Sequence, residues 1–301
     1  MGWSGNIKNP NWYMGGLGGV LCPGAGDVYY VNGYTGLDTN DGLSPNTPKL
    51  TITAGLGLCA DLAGQNDYVI VLRYPSAGAA GETWPIAVDK ESVHIIGGNL
   101  FGASTCCWVA PTGDTAAFLI SKNGVEIAGF DLAGGDAHGC IENDGTIWRA
   151  HIHHNDFGMQ RTCQDGIRQT GLVDCPHWLI EENTFGEFFD NINRDAIRIE
   201  YNSTRSVIRS NLFRVDADNN QIGIHLQGLC TGNIFILDNT FMIPDAMAGE
   251  AITTSATAQG LAAGNRAAEG KAALGNVPWV DGGAFSWSCN IGSLGVAQMP
   301  A

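Results

Sequence analysis

Apolar positions in the middle of the chain recur in a fixed pattern, Ile-x-x-Asn-x-Phe. The copies are Ile152/Asn155/Phe157, Ile180/Asn183/Phe185, Ile208/Asn211/Phe213 and Ile236/Asn239/Phe241, each 28 residues after the last. A second apolar position recurs at Ile141, Ile167, Ile197, Ile224 and Ile252, at intervals of 26, 30, 27 and 28 residues. Around it apolar and polar residues alternate, as in Ile197-Arg198-Ile199-Glu200 and Ile224-His225-Leu226-Gln227. Period 2 is the signature of a half-buried strand. Leucine-rich repeats of similar length would show leucines at helical spacing, and neither occurs. Several short strands per repeat, separated by Gly, Asn and Asp, describe one turn of a parallel β-solenoid.

Turns of such a coil stack at the inter-strand spacing of about 4.8 Å. The Ile and Phe sets then form interior columns, and the four asparagines stack at one corner, where Asn tolerates a left-handed bend and bonds the Asn of the next turn. Ile127 is the same position one turn earlier. Beyond Phe241 the pattern weakens to Ala262-x-x-Asn265-x-Ala267, which predicts a narrowing coil. Residues 266–274 read as a short helix, a lid for the C-terminal end. The predicted organisation is a Gly- and aromatic-rich arm over 1–26, a coil over 27–265 whose first part, 27–63, is an N-terminal cap, and a C-terminal cap and tail over 266–301. The arm, with Trp3, Trp12 and Tyr13, and the tail, with Trp279, Phe285 and Trp287, are segments expected to pack on the coil itself or on a neighbouring subunit.

At 301 residues the chain can form one long solenoid, and its 42 glycines with only 15% charged residues suit tight turns between short strands. The net charge of −15 argues against binding nucleic acid, because no Lys/Arg cluster offsets phosphate repulsion. Nine cysteines, an odd number at irregular spacings without CxxC or Cys/His zinc patterns, read as buried free thiols of a reducing compartment. No apolar run is long enough to span a membrane. The run Met14–Cys22 is short and is interrupted upstream by Asn9, Pro10 and Asn11, so export by a signal peptide is not expected.

Before the strict repeat comes a strand, Val28-Tyr29-Tyr30-Val31, then the turn Asp38-Thr39-Asn40-Asp41-Gly42, Pro45 and Pro48, and an amphipathic helix started by Thr51 and running toward Leu62. Over residues 30–54 this resembles the N-terminal cap of right-handed parallel β-helix proteins of the pectate-lyase-like type. In these a strand, a G-x-D-x-N-D-G-x-S-x-x-x-P turn and a T-I-x-x-A helix plug the open end. The resemblance implies an all-β, right-handed parallel β-helix. It also implies, for an enzyme of that type, a calcium cluster of acidic residues and a catalytic Arg or Lys on one face. The Asp38–Gly42 turn itself is one residue short of a helix–loop–helix calcium loop and reads as an Asx turn.

A solenoid brings residues one period apart into contact, so outward residues form ladders. On one face Glu142, Arg168, Arg198 and His225 stack, and Asp165-Gly-Ile-Arg168 is echoed by Asp195-Ala-Ile-Arg198. Asp165 and Asp195 are then about 5 Å apart, the carboxylate separation of a retaining glycosidase; Arg168 or Arg198 would be the base or anion clamp of a lyase. The same residues make salt-bridge ladders on a solvated sheet. Periodicity favours the ladders, because active sites break it, and on a solvated ladder Arg198→Ala is expected to be nearly neutral for folding. On another face His153, Glu181 and Arg209 stack beside His154, Glu182, Ser210 and Asp238. His151, His153 and His154 with Glu181 are candidate metal ligands, although the flanking of an inward Ile152 places His151 and His153 over open sheet. Trp148 and Trp178 are candidate outward sugar platforms. No nucleophile elbow, phosphate loop, HExxH or nucleotide fingerprint occurs.

Among proteins with this coil, those without export signals resemble bacteriophage virion components, namely capsid decoration proteins, tail spikes and fibres. The resemblance implies a structural protein, typically trimeric, that docks on partners such as the major capsid protein and is localised to the virion. The alternative is a glycan depolymerase, a polysaccharide lyase or glycoside hydrolase acting on surface polysaccharide, with Asp165, Asp195, Arg168, Arg198 and His225 as its residues. The near absence of insertions between 141 and 252 favours the structural role.

Overall fold

The computed structural model describes residues 26–76, 78–98, 107–158, 163–171, 173–186, 192–214, 222–243, 250–269, 279–282 and 285–291. They form a parallel β-solenoid. Three sheets of ten, seven and eight strands run along it, and from the strand Val93–Gly97 onward the strands alternate in sequence so that each turn contributes one strand to each sheet. The repeat period maps directly onto this path. Ile152, Ile180, Ile208 and Ile236 lie in strands of the first sheet (His151–His153, Leu179–Glu181, Val207–Arg209, Ile234–Leu237), paired in register with Ile127 before them and Ala262 after. Phe157, Phe185, Phe213 and Phe241 pair in the second sheet. Ile141, Ile167, Ile197, Ile224 and Ile252 pair in the third.

All these side chains are buried. The four phenylalanine rings stack face over face, with centroids 4.6, 4.8 and 4.6 Å apart and planes within 8° of parallel. That spacing is the inter-strand spacing itself, so each ring follows the rung beneath it. The stack fills the cross-section and leaves little room opposite. A Cβ on Gly166 would lie 2.8 Å from the Phe185 ring and 2.6 Å from Ala196 O, and one on Gly223 would lie 2.6 Å from both the Phe241 ring and Ala251 O. Gly223→Ala is therefore expected to cost about 2 kcal/mol through overpacking. A urea midpoint matching that of the parent chain would contradict the Phe stack as the constraint.

The asparagine ladder is longer than the strict repeat. Asn155, Asn183, Asn211, Asn239, Asn265 and Asn290 are all buried. In each of the first five, the backbone N–H and side-chain Nδ2 both donate to Oδ1 of the next asparagine, at 2.9–3.2 Å. The residue that takes the left-handed bend is the one before the asparagine: His154, Glu182, Ser210, Asp238, Gly264 and Cys289 have φ of 52°, 53°, 55°, 54°, 70° and 54°. The preceding residue turns the corner, which aims the Asn amide along the coil axis where its neighbour sits.

Two expectations are corrected at the C-terminal end. Residues Arg266–Glu269 form a strand, not the start of a helix, because Asn265 is held in the ladder and Arg266–Glu269 pair in register with Thr240–Ile243. Tertiary pairing overrides the local helix preference of Ala267 and Ala268; the remainder of 266–274 lies outside the described residues. The coil then continues through Trp279–Val280 and Phe285–Ser288, which pair with Glu250–Thr254 and Gly260–Ala263. Trp279 packs edge-on to Phe241 at 5.9 Å and lies 6.4 Å from Trp287. Two indoles thus supply bulk beside the small residues Ala262 and Ala267. The aromatic arm up to residue 25 lies outside the described residues.

At the other end Thr51 starts a short helix, Ile52–Leu56, and its side chain accepts from Ala54 N–H at 3.0 Å. Ile52 and Leu56 are buried, and Gly55 sits so close to Val31 that a Cβ there would be 2.7 Å away. The Asp38–Gly42 turn consumes its own carboxylates. Asp38 accepts from Leu50 N, Thr51 N and Thr51 Oγ1 at 2.9–3.0 Å, and Asp41 from Leu43 N and Thr47 Oγ1 at 3.1 and 2.6 Å.

Candidate functional site

The outer face of the third sheet brings together all five residues of the enzymatic reading. Gly166 faces the Phe185 ring and Ile167 is in the core, so the strand Cys163–Gln169 kinks there. Asp165 and Arg168 consequently emerge on the same side, with Arg168 Nε 3.8 Å from Asp165 Oδ2. Asp165 pairs in register with Asp195, and Arg168 with Arg198, which pairs in turn with His225. The two aspartates are 0% and 1% exposed, not solvated.

Each aspartate is tied to its own partners. Arg194 grips Asp165 with two bonds, Nε to Oδ1 at 2.9 Å and Nη2 to Oδ2, and Asp195 N–H donates to the same carboxylate at 3.2 Å. Asp195 Oδ2 meets Arg198 Nη1 at 2.6 Å and His225 Nδ1 at 3.0 Å. Arg198 Nε and Arg168 Nε both donate to Glu200 Oε1, at 3.0 and 3.1 Å, and Arg198 Nη2 reaches Gln227 Oε1. Glu142 accepts from Gly139 N at 2.8 Å and faces His138 at 3.2 Å and Arg168 at 3.7 Å. Burial pushes the Asp165 carboxyl up, with Arg194 pulling against it. Burial also acts on Glu200, but its bonds to Arg198 and proximity to Arg168 outweigh that and hold it below the usual carboxylate range. Arg194 is a member that periodicity missed, since it lies where the register shifts between the pairs Cys163–Ile192 and Asp165–Asp195; Glu200 and Gln227, outward positions of the alternating pattern, join the network as well.

This arrangement does not fit the calcium cluster implied by the cap resemblance. Guanidinium groups hold the aspartate oxygens that a calcium ion would need, and a divalent cation there would meet Arg194 and Arg198 at contact distance. A retaining pair also requires two carboxyls that reach a sugar, one of them carrying a proton. Here both are buried under salt bridges.

Comparison with known protein families, with curated proteins and with solved structures finds no match.

The first sheet carries a second cluster. His153 and Glu181 pair in register, as do Glu181 and Arg209. The expectation that the histidines lie over open sheet is corrected: the His153 side chain is 2% exposed and that of His151 31%. They pack around Glu126, His153 buried and His151 half-buried, and the repeat did not reveal Glu126. Glu126 pairs with His151 on one side and His94 on the other, at sequence separations of 25 and 32 residues that break the period. Its Oε1 meets His153 Nε2 at 2.7 Å and stands 3.9 Å from His151 Nδ1, while Oε2 meets His94 Nδ1. Burial raises the affinity of Glu126 for a proton, but the bonds to His153 and His94 prevail and bring its pKa down to about 2. Burial keeps His151 and His154 below the usual imidazole range, so both favour the neutral form. Outward from this centre, His151 Nε2 meets Glu181 Oε1 at 3.0 Å, and Arg209 Nε donates to Glu181 Oε2 at 2.6 Å. His153 Nδ1 lies 2.8 Å from His154 Nδ1, whose Nε2 is 2.8 Å from Glu182.

Of the two candidate sugar platforms, Trp148 is 50% exposed and Trp178 only 1%, its Nε1 donating to Ile147 O at 2.9 Å. Trp178 is a core residue. The thiols of Cys59, Cys107, Cys140, Cys163, Cys175 and Cys230 are free and buried, and Cys289 is free and exposed. Burial raises the Cys175 and Cys230 thiols to about 11 and about 12. Among the described residues no helix is long and apolar enough to cross a membrane.

Proposed function

We propose that the chain is a right-handed parallel β-helix of the pectate-lyase-like type serving a structural role, as a decoration or appendage protein of a tailed-bacteriophage virion. The observation that carries the structural reading is the state of the outer-face carboxylates. Asp165 and Asp195 are buried and bonded to Arg194, Arg198 and His225, which makes that face a closed ion network rather than a cleft with an acid and a base. An uninterrupted column of phenylalanines, isoleucines and asparagines gives a stiff rod whose turns each contact only their neighbours, and six buried thiols kept free suit folding in a reducing cytoplasm. On this reading the helix Ile52–Leu56 is the N-terminal plug, and the aromatic N-terminal arm with Trp3, Trp12 and Tyr13 docks on sister subunits, as a trimer, and on other virion proteins, whereas Trp279, Phe285 and Trp287 are packed inside the coil.

Two measurements test it. Mass spectrometry of particles purified from the host that carries the gene is expected to find the chain at stoichiometric copy number. Incubation with acidic and neutral polysaccharides is expected to release neither reducing nor unsaturated ends. Release that disappears in Asp195→Ala would replace this reading with the depolymerase.

A further inference from the structure

The cluster around Glu126 has the composition and the surroundings of a metal centre. Glu126 Oε1, His151 Nδ1 and His153 Nε2 come from two adjacent rungs of the first sheet, and one ligand atom from each lies within 4.8 Å of the others. Two imidazoles and a carboxylate form a donor set that suits zinc and its late first-row neighbours and disfavours magnesium and calcium. Zinc bonds of about 2.0–2.1 Å at tetrahedral angles hold ligand atoms roughly 3.3 Å apart, so an ion would widen the 2.7 Å separation of Glu126 Oε1 from His153 Nε2 and close the 3.9 Å one to His151 Nδ1, each by roughly half an ångström and within the reach of side-chain rotation.

The second layer is complete as well. A metal-binding imidazole ordinarily gives its other nitrogen to a carboxylate or a similar partner, which fixes the ring. His151 presents Nε2 to Glu181, itself anchored by Arg209, while His153 presents Nδ1 to His154, backed by Glu182. The non-ligating oxygen of Glu126 is held by His94, whose ring is fixed by stacking on Tyr68 at 4.4 Å and 13°. The remaining nitrogen of His94, Nε2, is buried and has no partner among the described residues, so within them the ring is committed to Glu126. His151, partly exposed, lies on the path from solvent.

We propose that Glu126, His151 and His153 bind a zinc ion, with the fourth position left to water. The ion takes the place of the proton shared between Glu126 Oε1 and His153 Nε2 and cross-links two consecutive rungs.

The test is calorimetric titration of the tag-free, full-length chain, freed of metal with a chelator, with Zn2+, and with Ca2+ and Mg2+ as controls. One equivalent of Zn2+ is expected to bind and to raise the melting temperature, Co2+ is expected to give a visible d–d band of a low-symmetry site, and the two hard cations are expected to do neither. His151→Gln, at a partly exposed position, is expected to leave the metal-free chain folded, with a cooperative melting transition, and to weaken Zn2+ binding roughly tenfold or more relative to the parent chain. His153→Gln is expected to abolish binding. Absence of Zn2+ binding, or Zn2+ binding of parental affinity in His151→Gln, would overturn the proposal; the structural reading of the chain survives either result.

Discussion

Asn183→Ala is expected to destabilise the coil by about 4 kcal/mol, one of the two largest single effects foreseen here. The Asn183 amide makes four bonds and is 1% exposed. Oδ1 accepts from the backbone N–H of Asn155 at 3.0 Å and from its Nδ2 at 3.2 Å, while Nδ2 donates to Ile152 O at 2.9 Å and to Asn211 Oδ1 at 3.0 Å. Alanine removes all four and fits no new group in their place. The backbone N–H of Asn155 is then buried without an acceptor, and each such orphan costs about 1–3 kcal/mol, to which the vacated side-chain volume adds. Asn183→Asp separates the parts of the argument, because it keeps the acceptor toward Asn155 but loses both donations and adds a buried charge; it too is expected to destabilise. Urea unfolding followed by circular dichroism measures both. An Asn183→Ala cost below about 1 kcal/mol would mean that the ladder is a by-product of stacking and contributes little to holding the rungs together.

The difference between what was legible in the sequence and what was not follows from how periodic each feature is. Ile152, Asn155 and Phe157 recur at one spacing because the interior imposes the same demand on every turn, so the coil, its three columns and even the earlier position of Ile127 could be read from spacing alone. The charged ladders Glu142–Arg168–Arg198–His225 and His153–Glu181–Arg209 were legible for the same reason. Burial was not legible. Alternation marks which residues face outward, but outward does not mean solvated: Asp165, Asp195, His153 and Glu126 all face neighbouring side chains that cover them. Glu126, although the position of Ile127 sets it opposite His151, has no like residue in the later rungs to mark it, and His94 lies 32 residues before it, in a rung whose length conceals register. Trp279 and Trp287 were read as a tail because their rung replaces the Ile of the column with indoles, and Asn290, which closes the ladder, has only Trp287 before it to mark the motif. Arg266–Glu269 was misread because alanine favours helix locally, whereas the ladder and the open edge of Thr240–Ile243 decide otherwise.

The second large effect reverses an expectation from spacing. On a solvated ladder Arg198→Ala would be nearly neutral; in the structure it is expected to cost about 4 kcal/mol. The guanidinium satisfies Asp195 at 2.6 Å and Glu200 at 3.0 Å, and it also reaches Gln227. Asp195 has a side-chain exposure of 1%, so truncating its partner leaves a buried carboxylate with the His225 ring at 3.0 Å and, among the described residues, only the more distant Arg194, 3.9 Å away, as a cation. An uncompensated buried charge, not the lost attraction, is the source of the cost. Removing the charge as well should therefore restore much of the loss: Asp195→Asn combined with Arg198→Ala is expected to be more stable than Arg198→Ala alone, a coupling that the double-mutant cycle of these two substitutions reads directly. Arg209 provides the contrast. It bonds Glu181 at 2.6 Å but is 51% exposed, so Arg209→Ala is expected to change stability by no more than about 1 kcal/mol. Equal costs for Arg198→Ala and Arg209→Ala would show that water reaches Asp195, and the closed ion network on which the structural reading rests would then be open to substrate.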